Sequence, residues 1–200
     1  MTSKPIKNKP PVLKINDEYD TPSYAFDMLK CFEDQFENKI IWDPFVSETS
    51  LAGPRIRTCF PNSKEIIHNK SYDLMTNSFP PTFDIIITNP PYSCKKDVVE
   101  KCLALGKPFC LLLPLETVSR RYMTKHYQEI KKDLCILFPE QRVNFIPLQT
   151  KRKRASNSPF HSVWVCFQLK PSPLVSQLQF MLVSQDSKPL PRDEQLHQQL

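Results

Sequence analysis

The segment Phe83 to Ser93 reads FDIIITNPPYS, and its second half forbids what its first half begins. Ile85, Ile86 and Ile87 are β-branched and suit a buried strand. Pro90 and Pro91 carry no backbone donor and hold φ fixed, so the chain must leave the sheet as soon as it passes Thr88. The result is a core strand that ends in a rigid turn bearing one amide, Asn89, and one phenol ring, Tyr92.

Other short apolar runs surround this one, at Lys39–Trp42, Glu65–His68, Pro108–Leu113, Leu134–Phe138 and His161–Leu169. Helical segments separate them. Thr21-Pro22 is a helix start, with Thr21 expected as N-cap and Pro22 at the first helical position. Behind it Phe26, Leu29, Phe32 and Phe36 share one helical face. A second helix is expected over Lys95–Leu105 with Gly106 as its stop, and a third from about Thr117 to Lys131. This alternation predicts an α/β fold, a mostly parallel sheet with helices on both faces. The last run, after a long loop, is expected as an antiparallel insertion or an edge strand. Residues 1–16 read as a basic flexible arm, 17–170 as one domain, and 171–200 as a flexible Gln/Ser/Pro-rich tail.

The chain of 200 residues is long enough for one full core. No stretch approaches the roughly 18 consecutive apolar residues of a membrane span, so no membrane partner is expected. The opening MTSKPIKNKPPVLK lacks the apolar core of a secretory signal. Seven cysteines with no C-x-x-C pair suggest neither a disulfide framework nor a metal site, and fit a reduced intracellular compartment, cytoplasmic or nuclear. The net charge is +6, concentrated in the N-terminal lysines and in Lys151, Arg152, Lys153 and Arg154. Such clusters suit a polyanionic partner, nucleic acid first, or a solvated loop or import signal.

In open α/β sheets ligands bind beyond the carboxyl ends of the strands. Asn89 and the Pro90 carbonyl then offer two fixed acceptors beside the Tyr92 ring, an arrangement suited to a planar –NH2 group. Accepting both hydrogens favours a pyramidal, more nucleophilic nitrogen and stabilises the charge that develops on it.

Thr88-Asn89-Pro90-Pro91-Tyr92 resembles the catalytic signature of S-adenosylmethionine-dependent amino-methyltransferases, especially the N6-adenine class. Tyr19-Asp20-Thr21-Pro22 resembles their Tyr-x-Thr-Pro motif, and Trp42-Asp43-Pro44-Phe45 their Asp-Pro-Phe strand ending. Pro159-Phe160-His161-Ser162-Val163-Trp164 is similar to a late strand of small phage- and giant-virus-like members, compatible with a virus- or phage-encoded chain acting in a host cell. The resemblance implies a Rossmann-like class I methyltransferase with a seven-stranded, mostly parallel sheet and an antiparallel late strand. It implies S-adenosylmethionine as cofactor, with Tyr19, Asp20, Thr21, Pro22, Asp43, Pro44, Phe45, Asp73 and Asn89 near it. It further implies catalytic roles for Asn89, Pro90, Pro91 and Tyr92, and nucleic-acid contacts from Lys151 to Arg154. Asp73 reads equally as a turn cap, and Glu116 as a surface carboxylate.

The family usually places glycine just after Asp-Pro-Phe, whereas Gly53 and Gly106 are the only glycines of this chain. The acid expected near His68-Asn69 is also absent, which leaves Asn69 as a weaker acceptor. The favoured target is a flipped-out adenine in DNA, with a partner subunit able to supply sequence reading. RNA, a protein glutamine, or a non-catalytic subunit that keeps only the fold are the alternatives.

Overall fold

The structure, a computed structural model, describes residues 19–46, 50–147 and 161–172. The basic arm, Lys151–Arg154 and nearly all of the tail lie outside the described residues.

Six strands form the main sheet: β2 (Ile40–Trp42), β3 (Glu65–Ile67), β4 (Ile85–Thr88), β5 (Phe109–Pro114), β6 (Leu134–Leu137) and β8 (Ser162–Phe167). Their order is β3-β2-β4-β5-β8-β6. The pairs β2/β3, β2/β4 and β4/β5 are parallel, while β8 runs antiparallel to both β5 and β6. The expected Rossmann-like α/β architecture is present. The described sheet holds six strands rather than seven, and the late strand is an antiparallel insertion rather than an edge. A separate two-stranded ladder joins β1 (Tyr19–Asp20) to β7 (Ile146–Pro147).

The strand residues alternate between two cores, as a period of two requires. Ile41, Ile85, Ile87, Cys110, Leu112, Trp164 and Cys166 face one side. There they meet Phe26, Leu29, Phe32 and Phe36, together with Ile56 of α3 (Ala52–Cys59). Ile86, Phe109, Leu111, Leu113, Val163 and Val165 face the other side. That side is covered by Val98, Val99 and Cys102 of α4 (Lys95–Leu105), and by Met123, Tyr127 and Ile130. Strands buried on both faces explain why their sequences read as continuous apolar runs.

The helix after Pro22 is broken into α1 (Ser23–Asp27), a 3-10 segment (Met28–Phe32) and α2 (Glu33–Phe36). Thr21 is not its cap: Pro22 holds that position in an extended conformation without a side-chain cap bond. The reason is tertiary, since Thr21 is buried and its carbonyl accepts from Arg55 of α3. Gly106 ends α4 with φ +63°, as expected for a left-handed stop.

The continuous helix expected from about Thr117 to Lys131 does not form. The segment is a 3-10 turn (Leu115–Ser119), then α5 (Arg121–Thr124) and α6 (Tyr127–Ile130). Arg120 is extended between the first two, and Tyr127 Oη donates back to the Val118 carbonyl, which folds the segment on itself.

Trp164 ties the sheet to the first helical layer. Its indole is fully buried, sits 5.8 Å from Phe26 and donates from Nε1 to the Ala25 carbonyl at 2.7 Å. Trp164→Phe leaves that buried carbonyl without a donor and should destabilise the fold by about 1–3 kcal/mol, read as a lower urea midpoint at unchanged slope.

Candidate active site

The parallel strands β2, β3, β4 and β5 deliver Asp43, His68, Asn89 and Leu115 to one end of the sheet. Because β8 is antiparallel, its first residue, Ser162, pairs with Pro114 and arrives at the same end. The sequence-expected catalytic turn and the Asp43 segment are therefore neighbours in space.

Asp43 is buried and accepts from three groups. Thr88 Oγ1 donates to its Oδ1 at 2.6 Å, the Phe45 amide donates to the same oxygen at 3.3 Å, and His68 Nδ1 lies 3.1 Å from Oδ2. Thr88 directly precedes Asn89, so this carboxylate fixes the direction in which the Asn-Pro-Pro-Tyr turn departs. Pro44 is buried and Phe45 half-buried beside it. From the sequence His68 is a strand-end candidate and Thr88 stands inside the quoted motif, but neither is expected as a partner of Asp43.

A carboxylate only accepts, so His68 Nδ1 must carry a proton. Burial disfavours the charged imidazolium, but the hydrogen bond to Asp43 and the Asp43 charge outweigh it and raise the ring above its ordinary value. Gly53 makes this contact possible: a Cβ there would lie 2.7 Å from both Cβ and Cγ of His68. Gly53, inside α3 rather than just after Asp-Pro-Phe, thus gives close approach to an imidazole.

Asn89 Oδ1 is buried and has no hydrogen-bond partner. Such an atom costs about 1–3 kcal/mol of desolvation unless a donor reaches it. Tyr92 opens a short 3-10 turn (Tyr92–Cys94) and its hydroxyl lies 3.0 Å from Ser162 Oγ. Its ring meets Phe145 edge-on at 6.2 Å, and Phe145 meets Tyr19 at 6.4 Å. The β1/β7 ladder brings Tyr19 into this aromatic group. The Pro91 carbonyl accepts from Cys94, which closes the turn behind Pro90.

Asp20 is buried, with Arg55 Nη1 at 2.5 Å from Oδ2 and the Leu51 amide at 3.2 Å from Oδ1. It braces the Tyr19–Pro22 segment against α3. Asp73 Oδ1 accepts from the Met75 and Thr76 amides, the geometry of a turn cap. Glu116 pairs with Lys95 at 3.4 Å. Among the described residues no group of His, Cys, Asp and Glu is placed to hold a metal ion. Burial pushes the Cys102 thiol up to about 12 and Cys135 to about 11, so neither is an activated nucleophile.

An orphaned amide oxygen next to a held aromatic ring fits an –NH2 donor. Residues 14–151 match the Eco57I restriction-modification methylase family. The chain belongs to that family. No curated protein sequence matches it. Three solved structures align with it at low identity. One is from Listeria monocytogenes, assigned to the class I S-adenosylmethionine-dependent methyltransferases, at 13% identity and TM-score 0.43. That alignment covers 81% of this chain and 64% of the Listeria chain. One from Pyrococcus horikoshii, assigned as an RNA methyltransferase, aligns at 16% identity and TM-score 0.45 over 84% of this chain and 92% of its own. An S-adenosylmethionine-dependent O-methyltransferase from Thermotoga maritima aligns at 11% identity and TM-score 0.35 over 72% and 64%. No helix among the described residues is long and apolar enough to cross a membrane.

The raised His68 value sets the sign of a pH test. A raised folded pKa contributes stability that is fully present below the ordinary value of 6.5 and is lost as pH rises through the folded value. The stability gap between wild type and His68→Gln should therefore be widest below pH 6.5 and shrink as pH rises above it, measured by urea unfolding across that range. A gap that widens with pH would contradict the Asp43–His68 pairing.

Proposed function

We propose that this chain transfers a methyl group from S-adenosylmethionine to the exocyclic N6 amine of a flipped-out adenine in DNA. The observation that carries this reading is the buried Asn89 Oδ1 with no partner, at the carboxyl end of β4 and beside Tyr92. Membership of a restriction-modification methylase family supports both the reaction and the nucleic-acid substrate.

In this reading Asn89 Oδ1 accepts one hydrogen of the target amine and the Pro90 carbonyl accepts the other. The paired acceptors favour a pyramidal nitrogen, aim its lone pair and stabilise the positive charge that builds as the new C–N bond forms. Pro90 and Pro91 keep both acceptors in place without competing backbone donors. Tyr92, held by Ser162 and Phe145, supports the base by its ring. The surplus amine proton leaves to solvent.

The cofactor supplies an activated methyl carbon. Tyr19, Thr21, Pro22, Asp43, Pro44 and Phe45 would form its surroundings, with Asp20 and Asp43 also holding those segments through Arg55, Thr88 and His68. Asp73 would contribute its turn beside the cofactor's base. Lys151–Arg154 would add phosphate contacts, and a partner subunit would read sequence. The cell interior, where DNA resides, is the expected setting.

A second reading, a methyltransferase-fold subunit without cofactor, draws on one observation: the space left by Gly53 is taken by the His68 ring. Calorimetry with S-adenosylmethionine separates the two, because a subunit without cofactor shows no binding. For the enzyme, Asn89→Ala should lower methyl transfer to adenine-containing DNA by about 10²–10³-fold while cofactor binding stays unchanged. Transfer at the wild-type rate would remove Asn89 from the reaction, and preferential transfer to RNA or to a glutamine peptide would reassign the substrate.

A further inference from the structure

A groove of roughly 650 Å³ opens at the same end of the sheet, lined by Leu115, Val118, Ser119, Thr124, Tyr127 and His161. Its floor is largely apolar, and Leu115 is 40% exposed there, a large aliphatic side chain with open space above it. Two links join the groove to the target-amine turn. His161 immediately precedes Ser162, the residue that meets the Tyr92 hydroxyl. Glu116, also in the groove wall, is tied to Lys95, the first residue of α4 after that turn.

Two arginines adjoin the groove residues in the chain. Arg120 and Arg121 lie in the chain between Ser119 and Thr124, both are exposed, and neither forms an ion pair among the described residues. At the groove residue His161, Arg142 Nη2 stands 2.8 Å from Nε2. Arginine only donates, so that nitrogen of His161 accepts and the imidazole plane is fixed. The one carboxylate of the groove wall, Glu116, is already neutralised by Lys95. An apolar floor, a held flat ring and the two exposed guanidinium groups of Arg120 and Arg121 beside it in the chain are complementary to a nucleotide, base face on the floor and phosphates toward the arginines.

We infer that this groove seats the nucleotide flanking the target base on the same DNA strand, with Arg120 and Arg121 on its phosphates and the Leu115–His161 surface under its base. The inference rests on the reading of Asn89 as acceptor for an adenine amine. It places strand contact on described residues, in addition to the Lys151–Arg154 cluster.

The test uses the full chain and a fluorescently labelled single-stranded oligodeoxynucleotide containing one adenine, with anisotropy titrations over a range of salt. Each phosphate contact on a single strand adds about 0.7 to the slope of log K against log salt. Arg120→Ala/Arg121→Ala should therefore reduce that slope by about 1.4, while Arg120→Lys/Arg121→Lys keeps it. Ser119→Trp fills the groove and should weaken binding with the slope unchanged. An unchanged slope in the double alanine variant, or unchanged affinity in Ser119→Trp, overturns the inference. An RNA oligonucleotide of the same sequence, bound more tightly through the same residues, would overturn the DNA assignment. The two readings fail separately. A wild-type chain that binds DNA through this groove but methylates no adenine sinks the proposed reaction. One that methylates adenine with arginine-independent binding sinks the groove.

Discussion

The Asp43 carboxylate is the interaction on which the rest of the site depends. It sits just past β2 and gathers Thr88 from the end of β4, His68 from just past β3, and the amide of Phe45. Hydrogen bonds to a charged group contribute about 1.5–3 kcal/mol each, so three strand ends are held in register by one side chain. Without that knot the carboxyl ends of short strands, three and four residues long here, would be free to splay. The turn that follows Thr88 inherits its direction from this bond. Gly53 belongs to the same unit, because only a residue without Cβ lets His68 lie against α3 and still reach Asp43.

Much of this was legible in the sequence, and the legible part has a common cause. The apolar runs that became β2, β4, β5 and β8, and the α4 helix with its Gly106 stop, are set by local periodicity and by residues whose backbone preferences are strong. Asn-Pro-Pro-Tyr belongs to the same class, since two prolines decide the backbone wherever they stand. The residues that surround Asp43 are of another kind. His68 lies 25 positions away and Thr88 45, and no local pattern marks a histidine as the partner of a distant aspartate. Asp20 shows the same limit: its place beside the helix start was visible, but its commitment to Arg55, 35 positions on, was not.

The segment from Leu115 to Ile130 failed as a single helix for a tertiary reason. Its apolar residues have helical spacing, yet the Leu115 amide is drawn to the His161 carbonyl at 2.7 Å, and Arg120 is extended. Propensity yields there to the need to cap the sheet end where β5 and β8 meet. That yielding leaves Leu115 and the arginine pair exposed at the surface instead of along a helix face. The β1/β7 ladder was equally hidden, because two residues pairing with two others, with Tyr19 and its partner Pro147 128 positions apart, carry too little pattern to read.

The orphaned Asn89 oxygen raises the question of why the fold tolerates it. A flexible turn would rotate the amide toward the nearest backbone donor and recover the lost hydrogen bond. Here the two residues that follow have no N–H to offer, and Thr88 on the other side has its hydroxyl committed to Asp43. The side chain is thus denied its local partners by the same features that aim it. A cost of about 1–3 kcal/mol is set against a carboxylate network of comparable or greater strength one residue away. That pairing of a strong anchor with an unsatisfied acceptor is how a stable sheet can keep a polar atom without a partner: rigidity at Thr88 and Pro90 makes the unpaired state of Asn89 persistent, which is the preorganisation that the proposed acceptor role requires.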